Sequence, residues 1–188
     1  MNYIKKLYIK TAVEAQISTF TAEGGTTEYQ VILTGTDPFL PFTVQLKNIL
    51  QAYVSVVENE ISKDAVAVFR RYFLSDASNQ TDAVLAWECE NNLCPLSIVQ
   101  QPPLNGTKIA VWTYLQTGME LKTYDNGMLA VAHNGYEHYW TGGAYNKAKN
   151  SEFQTRLLLN DYVMQLMNRR CTLAHNCICT KNHVRIQL

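Results

Sequence analysis

No stretch of the 188 residues stays apolar for long. Met1 to Lys10 already sets Lys5, Lys6 and Lys10 among its apolar residues. It has neither the apolar stretch of a signal peptide nor the roughly 20 apolar residues of a membrane-spanning helix. The expectation is a cytoplasmic chain with no membrane partner. The Asn-x-Ser/Thr triplets at Asn79 and Asn105 then read as chance matches, because glycosylation needs the secretory route.

Net charge is missing too. Lys and Arg number 16, as do Asp and Glu, so no overall field attracts nucleic acid. Tyrosine is abundant, with 11 residues, but no aromatic stripe is interleaved with Lys and Arg, which RNA binding would want. The five cysteines, an odd and irregularly spaced set, fit reduced thiols better than a disulfide framework. A Gly-rich phosphate loop, a G-x-S-x-G turn and a paired-carboxylate signature are all lacking, and no cofactor is expected.

What is present is periodic. Tyr3, Leu7 and Ile9 lie in a first strand-like run, and Gln16 to Thr21 forms a second. Glu23 to Thr27 has turn residues, and Tyr29 to Thr34 resumes as strand. From Thr43 the period changes: Leu46, Ile49, Leu50, Tyr53, Val54 and Val57 mark one face of a helix. Ala65 to Leu74 reads as strand, Thr81 to Cys89 as a second helix, and Ser97 to Gln101 and Lys108 to Gln116 as two further strands. The fold class expected is α+β, with helices packed on one face of a sheet.

The pattern then repeats. A shift of 109 residues, without a gap, lays Gln45 on Gln154, Ile49 on Leu158, Tyr53 on Tyr162, Val54 on Val163 and Ala65 on Ala174. Ser151-Glu152-Phe153-Gln154 has the spacing of a capping box at the start of the later helix. Two units are therefore expected: a complete one over residues 1–120 and a partial second copy over 121–188.

Four segments carry a family resemblance: Ala65 to Asp76, Cys94-Pro95-Leu96-Ser97-Ile98-Val99 with Pro102-Pro103-Leu104, Tyr139-Trp140-Thr141-Gly142-Gly143-Ala144, and Gln154-Thr155 opening a Leu-rich run. In order and spacing they resemble the Rid family (YjgF/UK114, endoribonuclease L-PSP-like), in a two-unit arrangement related to chorismatases. The resemblance implies a chorismate-mutase-like sheet, homotrimers, and clefts between subunits that bind small carboxylate metabolites. Many such proteins hydrolyse enamines or imines, with an Arg forking onto the substrate carboxylate.

The chain departs from the family at those polar positions. The carboxylate-binding Arg falls on Leu96 or Ser97, depending on whether Val99 or Pro95 is the anchor. The later Glu falls around Trp112 or Thr113, and the helix Asn near Val84. In the second copy Cys179 stands where two-unit relatives read Arg, and Leu188 corresponds to Asn79, so the later elements of a second copy are absent from this sequence. A half-built copy leaves an open sheet edge and an apolar helix face that need covering. The expectation is a Rid-like protein that binds a small carboxylate without the usual deaminase chemistry, against the alternative of an active deaminase or chorismatase-like hydrolase in a longer parent.

The candidate ligand-binding residues are Arg70, Arg71, His133, His138 and Tyr139. Arg70 and Arg71 adjoin in a strand, so one points to each sheet face; the competing reading pairs one of them with Asp76 or Glu58. His133, His138 and Tyr139 precede or begin the Trp140 segment. Cys171, His175, Cys177, Cys179 and His183 form a dense cluster, but the spacing is that of no standard zinc site and no metal is expected.

Overall fold

The computed structural model describes residues 1–91, 94–123, 128–133, 136–143 and 150–170. The chain divides into two compact units, Met1–Met119 and Glu120–Leu188.

The first unit opens with three antiparallel strands: β1 (Asn2–Tyr8), β2 (Val13–Thr21) and β3 (Thr27–Gly35). Gly24 and Gly25 turn the chain between β2 and β3 at φ of 110° and 93°, a region that side chains strain to enter. Helix α1 (Phe42–Glu60), β4 (Val66–Leu74), α2 (Ala77–Asn91), β5 (Leu96–Gln100) and β6 (Ile109–Gln116) follow. The strands form one sheet in the order β1-β2-β3-β6-β4-β5. Only β4 and β5 run parallel, and α2 is the crossover that parallel neighbours need. The observed class is thus mixed, as the periods implied: a six-stranded sheet with helices.

Both helices of this unit cover the same face. Val13, Ala15, Ile17, Val31, Leu33, Tyr72, Leu74, Val111 and Leu115 pack there with Leu46, Ile49, Ala52 and Val56 of α1 and Val84 of α2. The core-facing line of α1 is Gln45, Leu46, Ile49, Ala52 and Val56. The line read from the sequence is therefore rotated: Val54, placed on it, is 48% exposed. It lies about 140° round the helix from Ile49, beyond the reach of the sheet.

Helix α2 starts earlier than expected. The Asp76 carboxylate accepts from the Asn79 backbone N–H at 3.4 Å, capping a helix that begins at Ala77. Ile9 leaves the first strand for a single 3₁₀ turn, Ile9–Thr11.

One irregularity governs the site. In β4 the register against β6 shifts between Ala67 and Phe69: Ala67 lies opposite Leu115, and Phe69 opposite Tyr114. This β-bulge at Val68 reverses the alternation downstream, so Arg70, Tyr72 and Leu74 face the helices while Phe69, Arg71 and Phe73 face away.

The second unit contains β7 (Glu120–Thr123), β8 (Leu129–His133) and β9 (Tyr136–Trp140), an antiparallel sheet in that order, then α3 (Ser151–Met167). β9 begins 109 residues after β3 (136 against 27) and α3 the same distance after α1 (151 against 42). The capping box is corrected: the cap is Asn150, whose side chain accepts from the Phe153 N–H at 3.2 Å, and Ser151 is already helical. The strand expected near Ala174, the Cys171–His183 cluster and Cys179 lie outside the described residues.

Candidate functional site

Arg70 sits under α2, between the sheet and the helices. Its guanidinium donates to the Glu88 carboxylate at 2.6 Å, and both residues are 3% exposed. Tyr72, two residues along the same face, donates its hydroxyl to the same carboxylate oxygen. The Tyr53 ring of α1 and the Trp87 ring of α2 lie 4.5 and 5.3 Å from the guanidinium carbon. Burial pushes the Tyr72 phenol far above its usual value, against the opposing pull of Arg70, and raises the Tyr53 phenol as well. Neither phenol is a base near neutral pH, and Arg70, Glu88 and Tyr72 are closed to solvent. It joins sheet to helix. The partner of Arg70 is Glu88, not the Asp76 or Glu58 that its sequence neighbourhood offered.

Arg71 lies on the other face. Its guanidinium carbon is 5.5 Å from the Phe69 ring and 5.8 Å from the Trp112 ring, and those rings are 5.7 Å apart. The indole N–H of Trp112 donates to the Gln30 side-chain oxygen at 2.7 Å, fixing the ring. In the ladder Arg71 pairs with Ser97 of β5 on one side and Trp112 of β6 on the other. Directly paired residues share a sheet face. Ser97, Arg71 and Trp112 therefore form a row across three strands, half-buried, on the face away from α1 and α2. The guanidinium thus lies beside both tilted rings, and an arginine fork is the group that suits a planar carboxylate.

The remaining candidates belong to the second unit. His133 ends β8, paired with Tyr136 of β9. His138 and Tyr139 are neighbours in β9, so their side chains leave on opposite faces. Tyr139 is buried, its hydroxyl donates to Glu137, and the Arg169 guanidinium lies 5.8 Å from its ring. His138 is half-buried opposite Val131.

No protein-family model, curated protein or solved structure matches the chain.

Leu96 and Thr113 pair with Arg70, as Ser97 and Trp112 pair with Arg71. Val84 is wholly buried in the core. Among the described residues no group of three or more His, Cys, Asp or Glu side chains could hold a metal ion, and no described helix is long and apolar enough to cross a membrane.

Two functional-looking residues escaped the sequence reading. Glu88 gave no signal beyond being an acid inside a helix. Gln45 did: it stands four residues before Ile49 on the buried line of α1, where a polar side chain needs a partner. Its amide donates to Leu40 O and accepts from Lys108 N, each at 2.8 Å, tying the start of α1 to the segment entering β6.

Proposed function

We propose that this chain is a Rid-like protein, with a chorismate-mutase-like first unit and a partial second copy, that binds a small carboxylate metabolite through Arg71 and lacks the usual deaminase chemistry. The carrying observation is the row Ser97–Arg71–Trp112. With Pro95 as anchor, the resemblance puts the family's carboxylate-binding Arg on Ser97 and its later Glu at Trp112 or Thr113. The cation absent from Ser97 thus stands one strand over, in Arg71. The acid has no counterpart in that row, which leaves an anion contact without a group to position water.

The position of the family-like segments supports the same reading. Ala65 to Asp76 is β4 and its exit, Cys94 to Val99 leads into β5, Trp140 ends β9, and Gln154-Thr155 lies where the first turn of α3 passes into the second. The recurrence of β3–α1 as β9–α3 at one offset supports the doubled unit. The resemblance further implies that copies of the chain assemble as trimers, with the cleft completed by a neighbour.

Saturation-transfer NMR with pyruvate and 2-oxobutanoate tests the binding, beside a time course with an imine-generating amino-acid mixture and with chorismate. Expected are transfer signals that vanish in Arg71→Ala, an oligomer by sedimentation velocity, and ketoacid or pyruvate release no faster than in buffer. Equal binding by wild type and Arg71→Ala would remove Arg71 from the site. Turnover above the buffer rate would replace this reading with the enzyme.

A further inference from the structure

The apolar stripe of α1 is wider than the core it covers. Leu46, Leu50 and Val54 run along its flank at successive turns, and with Trp87 of α2 they line a groove of about 430 Å³. Its other lining residues are Thr43, Lys47 and Gln51, again one per turn, forming a polar rim beside the apolar floor. The groove lies on the helical side of the unit, away from Arg71, and does not depend on the Rid-like reading.

From this geometry we infer that the groove binds an elongated apolar monocarboxylate, such as a medium-chain fatty acid. The volume falls within the range of about 300–1,000 Å³ usual for small-ligand sites. From Leu46 to Val54 the floor extends about 12 Å along the helix, which suits a chain rather than a compact metabolite. The charge selects the head group. Lys47 is the one charged residue of the lining, and the lining holds no carboxylate. Lys47 is exposed and makes no ion pair among the described residues, so its ammonium answers a single negative charge at the rim. Thr43 and Gln51 flank it with uncharged hydrogen-bonding groups. A phosphorylated or doubly charged ligand finds no second cation there.

Trp87 makes the site readable. Its ring lines the groove and also lies 5.3 Å from the Arg70 guanidinium carbon, so a ligand in the groove meets the indole directly. Decanoate below its micellar concentration should change the intrinsic fluorescence, and Trp87→Phe should lose that change. Lys47→Ala should weaken decanoate by about 3- to 5-fold, the size of an exposed ion pair. It should leave 1-decanol, the neutral control, unaltered. Val54→Glu, at an exposed position that tolerates the charge, should abolish binding of both, and Arg71→Ala should alter neither. Three results would each overturn the inference: no decanoate response in folded protein, Lys47→Ala binding decanoate as wild type does, or Val54→Glu still binding. Loss of decanoate binding in Arg71→Ala would move the site to the other face and overturn it too.

Discussion

The guanidinium of Arg70 and the carboxylate of Glu88, 18 residues apart in the chain, meet at 2.6 Å in a place from which solvent is almost wholly excluded. A buried pair of this kind adds little over a well-packed apolar substitute, but losing one member strands the other charge. Glu88→Ala is expected to cost about 3–5 kcal/mol in urea unfolding. The double change Arg70→Met with Glu88→Leu should cost much less than Glu88→Ala alone. A single-mutant loss below about 1 kcal/mol would mean the guanidinium finds water, contrary to its burial.

Arg71 should behave in the opposite way. It is half-buried, and Arg71→Ala is expected to change stability by no more than about 1 kcal/mol while removing small-carboxylate binding. Arg71→Lys keeps the charge but loses the planar fork, so it should recover only part of the affinity. Titrating 2-oxobutanoate by NMR against both variants separates charge from fork, and full recovery by Lys would show that the fork is not used.

Gln45 is 2% exposed and both ends of its amide are engaged. Gln45→Leu keeps the size of the side chain but leaves the Lys108 N–H and the Leu40 carbonyl without this partner. A loss of about 1–3 kcal/mol is expected. Hydrogen exchange should show the Lys108 amide deprotected ahead of the rest of β6; unchanged exchange there would contradict the tie.

In the second unit the hydroxyl of Tyr162 is buried with no hydrogen-bond partner among the described residues. Burial pushes its phenol up from 10.0 to about 12. The unfolded chain therefore gives up this proton first, near its ordinary value. The Tyr162 contribution to stability is complete below pH 10, falls as the pH rises towards 12, and is lost above that. Tyr162→Phe should flatten this part of a base-unfolding curve followed by ellipticity. At neutral pH it should stabilise the unit by about 1 kcal/mol, by removing an orphaned hydroxyl. A base-unfolding curve that keeps its slope between pH 10 and 12 in the variant would assign it to another group.

Much of the first unit was legible because it rests on local periods. Tyr29 to Thr34, Ala65 to Leu74 and Lys108 to Gln116 each carry enough β-branched or aromatic residues to mark a strand, and β3, β4 and β6 fall there. The spacing from Leu46 onward marks α1, although its buried line is turned towards Gln45 and Ala52. Such spacing gives the existence of an apolar face more surely than its centre, because the centre depends on where the sheet lies. The ends of elements were less legible. Asp76 and Asn150 set helix starts through side-chain caps, where the sequence pattern pointed to Thr81 and Ser151.

The sequence by itself determined the order of elements in the first unit, the 109-residue recurrence of a strand and a helix, and the fact that Arg70 and Arg71 part to opposite faces. The order and the parting follow from periods of 2 and 3.6 along the chain, and the recurrence from the match of the chain to itself at one offset. Only the tertiary structure decided which arginine is enclosed. A single extra residue at Val68 flips the alternation of β4, sending Arg70 to Glu88 beneath α2 and Arg71 to Trp112 on the far face. Whether a strand bulges depends on its partner's register, and that partner, β6, begins 35 residues after β4 ends (109 against 74).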